Sequence, residues 1–287
     1  MKTHLLKSQS PLLKLQSPLL KLQSHINNVG LILCTAMLLS LFAWTSATAG
    51  VADTNHNLGS GGPGSNKFSG TTEVCVFCHT PHGGDTSAAV PLWNRTLPAP
   101  GTYATYDSLG TSSLDGSTAP VGSVSIACLS CHDGVQAMDA VLNEPGSGAV
   151  VSSYNSGSWT GSANPGGIAN LGQNLTDDHP IGIQYGGGGI TDGSPSAATT
   201  DPDFATPGNA AINGRTVWWV DTEGTPNGLR EKTDMQLYTR SVAGISGGAD
   251  QPFVECASCH DPHSDANPTF LRVSNEGSAV CLACHVK

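Results

Sequence analysis

Positive charge is scarce in this chain. Twelve Lys+Arg stand against 22 Asp+Glu in 287 residues, a formal net charge of −10. Four of the cations, Lys2, Lys7, Lys14 and Lys21, fall in the first 28 residues, which hold no acid. Beyond them 8 cations face the same 22 acids, a formal charge of −14. Such a polyanion excludes nucleic acid and anionic lipid as favoured partners. A long hydrophobic run is also missing. The apolar stretch Val29–Trp44 has 16 residues, short of the ~20 that cross a bilayer as a helix. Spare cysteine and spare histidine are lacking as well. Of nine cysteines, Cys34 lies in the apolar stretch, and the other eight form the pairs Cys75/Cys78, Cys128/Cys131, Cys256/Cys259 and Cys281/Cys284. Beyond residue 49 no cysteine is left over for a disulfide or a free thiol.

What is there follows from those pairs. Each is followed at once by histidine: His79, His132, His260 and His285. Cys-x-x-Cys-His is the attachment signature of a c-type haem, with two thioether bonds and the adjacent histidine as proximal iron ligand. Four haem c groups are expected. Paired Cys-x-x-Cys is also a zinc pattern, but zinc does not require histidine after every second cysteine. A disulfide framework does not explain those histidines either.

The chain has ten histidines, and His4 and His25 precede residue 49. Four of the remaining eight close the motifs, which leaves His56, His82, His179 and His263. Four haems with two axial histidines each need eight, so these four are expected as distal ligands. Met138 and Met235 are the competing sulfur ligands, and packing is the expectation for both. Two axial imidazoles leave an iron no open position, which favours electron transfer over an enzyme.

The basic start, the apolar stretch and the small-x-small site Ala47-Thr48-Ala49 describe a secretory signal peptide over 1–49. Residues 50–287 then form a single tetrahaem unit. Export to the extracellular space or cell surface is expected, with the periplasm as alternative. Retention of the apolar stretch as an anchor is the rival. A lipoprotein site at Cys34 is disfavoured, because Leu33 before it is too bulky.

Glycine, serine, asparagine and proline dominate runs such as "GSGGPGSN" (59–66) and "YGGGGITDGSPS" (185–196). The expected fold is irregular, a mostly coil multihaem cytochrome c fold. Short helices at the motifs, a small amount of β-strand and a core organised by four covalent haems complete it. A helix is expected over 125–142, and strands over 149–154, 215–221 and 235–240, the last two pairing. Trp218 and Trp219 are expected to pack on a small sheet, with packing on haem as the rival.

The stretches "VCVFCHTPH" (74–82), "CLSCHDG" (128–134), "DDHPIGIQY" (177–185) and "VECASCHDPHSDANPTFLRVSNEGSAVCLACH" (254–285) resemble multihaem cytochromes with doubled Cys-x-x-Cys-His motifs. Within that group they are most similar to the OmcE-type tetrahaem cytochromes. The resemblance implies a head-to-tail extracellular filament whose haems form a continuous chain. It also implies an axial histidine lent by one subunit to the next, for which His56 is the candidate. Other multihaem cytochromes would donate electrons and an extracellular acceptor would receive them. A monomeric periplasmic shuttle and a membrane-anchored quinol dehydrogenase are the alternatives.

His82 follows His79 by three residues, as His263 follows His260. Both second histidines are expected to reach the iron of a different haem, since Pro81 and Pro262 favour a turn that points the two rings apart.

Overall fold

The strongest β-forming runs of the sequence find each other in the computed structural model, which describes residues 50–146, 152–190, 200–223 and 227–286. These fall in one compact unit, Ala49–Lys287. Its strands are β1 Lys67–Phe68, β2 Trp159–Thr160, β3 Ile183–Gln184, β4 Gly208–Ile212, β5 Arg215–Val220, β6 Met235–Ser241 and β7 Asp250–Val254. The helices are short: α1 Ser123–His132, α2 Ser152–Asn155, α3 Cys256–Cys259 and α4 Ala279–Cys284. β5 and β6 pair antiparallel as expected, with Trp218 opposite Leu237 and Val220 opposite Met235. β-branched and aromatic side chains fit a pleated, half-buried surface, which is why these two runs nucleate the sheet.

The expectation of a mostly coil fold is corrected. The described residues form two antiparallel sheets with seven strands, one of order β1-β2 and one of order β3-β7-β6-β5-β4. The architecture is mixed. The miss has a physical cause. β4 reads Gly-Asn-Ala-Ala-Ile and β7 carries Pro252, compositions that score against strand. They are recruited by the edges that β5 and β6 offer. β3 covers only Phe253 and Val254 of β7, so Pro252, with no N–H to give, does not interrupt that ladder.

Two local expectations shift. The helix expected over 125–142 is α1, Ser123–His132. It stops at Asp133 because Gly134 turns left-handed, with φ +71°. Of the strand expected over 149–154, residues 149–151 lie outside the described residues, and α2 begins at Ser152.

Side chains build their own apolar clusters. One holds Phe68, Phe77, Met138 and Tyr154. A second joins Trp93, Tyr103, Ile126 and Leu129. A third, under the larger sheet, gathers Tyr185, Trp218, Val220, Met235 and Leu237. Full burial stabilises large apolar side chains of this kind by about 1.5–3 kcal/mol each. Trp218 and Trp219 are buried on the sheet, as expected. Cys259 and Cys284 pack against the Trp218 cluster, and Cys78 and Cys131 against the Phe77 cluster. The protein core thus backs the cysteine pairs.

Candidate haem-attachment and iron-ligand site

One helical turn is the shared device of the four motifs. The His79 N–H donates to the Cys75 carbonyl at 2.8 Å, that of His260 to Cys256 at 3.2 Å and that of His285 to Cys281 at 2.9 Å. The second motif is the end of α1. In each, a turn spaces two thiols three residues apart and delivers the histidine directly after them. α3 is fixed at its start by a capping box. The Glu255 N–H donates to Ser258 Oγ at 2.9 Å, and the Glu255 side chain accepts from the main chain of Ser258.

The eight cysteines are free; six are half-buried, and Cys75 and Cys281 are exposed. Burial pushes the Cys78 and Cys284 thiols up to about 12. That is the opposite of the lowered thiol that a nucleophilic or redox cysteine shows. The pairs are neighbours in chain order. Cys78 lies close enough to Cys131 to feel its charge. Cys128 shares a hydrogen bond with Cys256, which drives the Cys128 thiol up and the Cys256 thiol down. Cys284 likewise senses Cys259, and Cys281 acts on both.

Between the first two motifs lies Arg95, fully buried. Its Nη1 donates to the Met138 carbonyl at 2.8 Å, and its Nη2 to those of Ser130 at 3.0 Å and Ala137 at 2.8 Å. Between the second and third motifs, Ser125 of α1 donates to Glu255 at 2.5 Å and accepts from the Cys256 N–H at 2.9 Å. Arg240 Nη1 completes this group on Glu255 Oε1 at 3.0 Å.

The histidine rings share a second pattern. Nδ1 of His56 meets the Pro262 carbonyl at 2.9 Å, that of His79 the Pro91 carbonyl at 2.9 Å, and that of His132 the Ala169 carbonyl at 2.7 Å. His179 uses the Pro180 carbonyl at 3.0 Å and His260 the Thr269 carbonyl at 2.7 Å. A carbonyl accepts only, so each Nδ1 carries a proton, and in the neutral ring Nε2 then keeps the lone pair. That is the state in which histidine ligates a metal. His263 Nδ1 lies 3.5 Å from Asp261 Oδ1. Burial also lowers the pKa of His56, and neighbouring His132, His263 and His260 lower it further. His179 is lowered by burial too, with His285 adding to it.

Two pairs of histidine rings lie close to each other. The His79 and His263 centroids are 6.3 Å apart with planes 16° apart, and those of His56 and His132 are 6.2 Å apart with planes at 80°. His56, the candidate for a ligand lent to a second copy, thus lies beside His132, a motif histidine of its own chain. His82 is exposed, and it is the His82 carbonyl that is engaged, by Thr80 Oγ1 at 3.0 Å. No ring contact joins His82 to another histidine among the described residues. Met138 and Met235 are buried in apolar clusters.

Sequence reasoning missed the groups that hold the rings. The orienting carbonyls belong to Pro91, Ala169, Pro180, Pro262 and Thr269, and a carbonyl leaves no mark on residue identity. Phe270, stacked on His56 at 4.2 Å, and Trp93, edge-on to His79 at 5.7 Å, were equally silent. The residues present fit covalently attached haem: thiol pairs set on single turns, each followed by an imidazole, with Nδ1 tied to a main-chain carbonyl in His79, His132 and His260.

No curated protein matches this chain. Residues 251–287, the third and fourth motifs, match the family model described as the doubled CXXCH motif. That match, with the geometry above, supports a multihaem c-type cytochrome in which Cys-x-x-Cys-His motifs bind haem c covalently for electron transfer.

Proposed function

We propose that this chain carries electrons through four covalent haem c groups, each held by two histidines, as an exported subunit of an extracellular filament. The observation that carries the reading is the oriented set of histidines. Five of the eight have Nδ1 tied to a main-chain carbonyl, beside four thiol pairs that neighbour one another in chain order. When bound, haem supplies a reversible one-electron centre. The chain's own residues do the rest. The cysteines fix the group by its edge, the motif histidines take the proximal position, and His56, His82, His179 and His263 take the distal ones. The buried clusters behind Cys78, Cys131, Cys259 and Cys284 exclude water from the attachment side. Adjacency of successive pairs supports a continuous hopping path.

In this reading the partners are further copies of the chain, stacked head to tail in an open polymer. Other multihaem cytochromes donate the electrons and an extracellular acceptor takes them. Intact mass measurement of the exported protein is expected to show a chain beginning near Gly50 with four haem additions. Electron microscopy of sheared surface material is expected to show filaments. A four-haem monomer by gel filtration, with no filaments, would leave electron transfer standing and replace the filament with a periplasmic shuttle. A retained 1–49 segment would favour the anchored quinol dehydrogenase.

A further inference from the structure

We propose that His79 and His263 are the two axial ligands of one iron, and that His132 and His56 are those of a second, both within a single chain. The proposal rests on the haem-binding reading above and goes further by saying which distal histidine completes which site. A metal–imidazole bond is about 2 Å and the ring centre lies about 1 Å behind the nitrogen, so two imidazoles on opposite sides of one metal put their ring centres about 6 Å apart. The measured separations are 6.3 Å and 6.2 Å. Each of these two pairs joins one motif histidine to one of the four others, as axial ligation requires. In three of the four rings Nδ1 is held by a main-chain carbonyl, and in His263 it faces the Asp261 carboxylate. In the neutral ring each then presents its lone pair on Nε2.

This pairing makes residues 260–263 a hub. His260 belongs to the third motif, His263 faces the proximal histidine of the first, and the Pro262 carbonyl holds His56 against that of the second. It commits His56 to its own chain and leaves His82 and His179 for the irons under His260 and His285.

The test removes one haem at a time. In the otherwise intact protein, His263→Met is expected to convert one low-spin bis-histidine signal to a methionine-ligated or high-spin one. In a chain carrying Cys75→Ala and Cys78→Ala, which cannot attach the first haem, the same substitution is expected to change nothing in the optical and EPR spectra. His56→Met is likewise expected to be silent where Cys128→Ala and Cys131→Ala remove the second haem. A methionine signature that persists in the matching three-haem background overturns the pairing. A second readout needs no variant. Near-perpendicular imidazole planes leave two iron d orbitals close in energy and give a highly anisotropic ferric EPR signal, whereas near-parallel planes split them and give a rhombic one. The loaded wild-type protein is expected to show both, and absence of either overturns the corresponding pair. A wild-type mass without any haem would instead defeat the underlying haem reading, a distinct result.

Discussion

Arg95 and Glu255 show how single buried charges hold the motifs in place. Arg95 stitches three carbonyls from the end of α1 and the chain after it. Arg95→Met removes a donor from each of those carbonyls, of which Ala137 keeps the Ala140 N–H, and is expected to cost about 3 kcal/mol or more, read as a lower denaturant midpoint. Arg95→Lys is not expected to rescue it, since an ammonium lacks the planar fork that reaches several acceptors at once. Glu255 is raised to about 7 by burial, while Ser125 and Arg240 pull it back toward ionisation. Burial outweighs the Arg240 ion pair, because Glu255 is almost wholly inaccessible. A carboxyl raised from 4.5 to about 7 holds its proton longer folded than unfolded. The folded state then binds more protons between those values, and stability falls as pH rises through that window. Thermal melts across that range are expected to show the decline, and Glu255→Gln is expected to flatten it. A flat wild-type profile would mean that the carboxylate is ionised in the folded protein.

At the scale of elements, the sheet and the α1–α3 contact are the working parts. β4 is a weak strand that stays paired because Gly208 lets Trp219 lie flat over it. A Cβ at Gly208 would sit 2.8 Å from Trp219 Cε2. Gly208→Ala is expected to displace the indole and loosen β4, visible as a changed near-ultraviolet circular dichroism signal with the β5–β6 pairing retained. Ser125 couples α1 to α3 through one hydroxyl. Ser125→Ala removes a donor to Glu255 and an acceptor for the Cys256 N–H, and is expected to destabilise by about 1–3 kcal/mol. The paired runs "RTVWWVD" and "MQLYTR" were legible because their side chains prefer a pleated surface wherever it forms. β4 and β7 were not, because their pairing is set by neighbours remote in sequence. The loop of Thr269 and Phe270 was also hidden. Both take positive φ, 56° and 62°, which non-glycine residues adopt at a cost of order 1–3 kcal/mol each. That loop brings a carbonyl to His260 and a ring to His56.

At the scale of the whole molecule, each haem is expected to be separately removable. Cys281→Ala with Cys284→Ala is expected to yield a protein one haem lighter by intact mass, with the other attachments kept. The C-terminal segment still docks through its own bonds, from the Ala205 N–H to the Cys284 carbonyl and from the Val286 N–H to the Asp203 carbonyl, both 2.8 Å. Loss of all haem from this variant would mean that attachment is cooperative across the chain.

The sequence by itself determined the chemistry. Four Cys-x-x-Cys-His motifs need only local spacing, because one turn of backbone is enough to place two thiols and an imidazole. It also put a second histidine after His79 and after His260, and it counted the distal candidates without a surplus. Only the tertiary structure decided which rings meet. His263 and His79 are 184 residues apart in numbering, and His56 and His132 are 76 apart. Such encounters are set by sheet order and by carbonyls that no residue type announces. Local covalent geometry is written in the pattern of letters, whereas contacts across the chain depend on packing that the whole fold settles together.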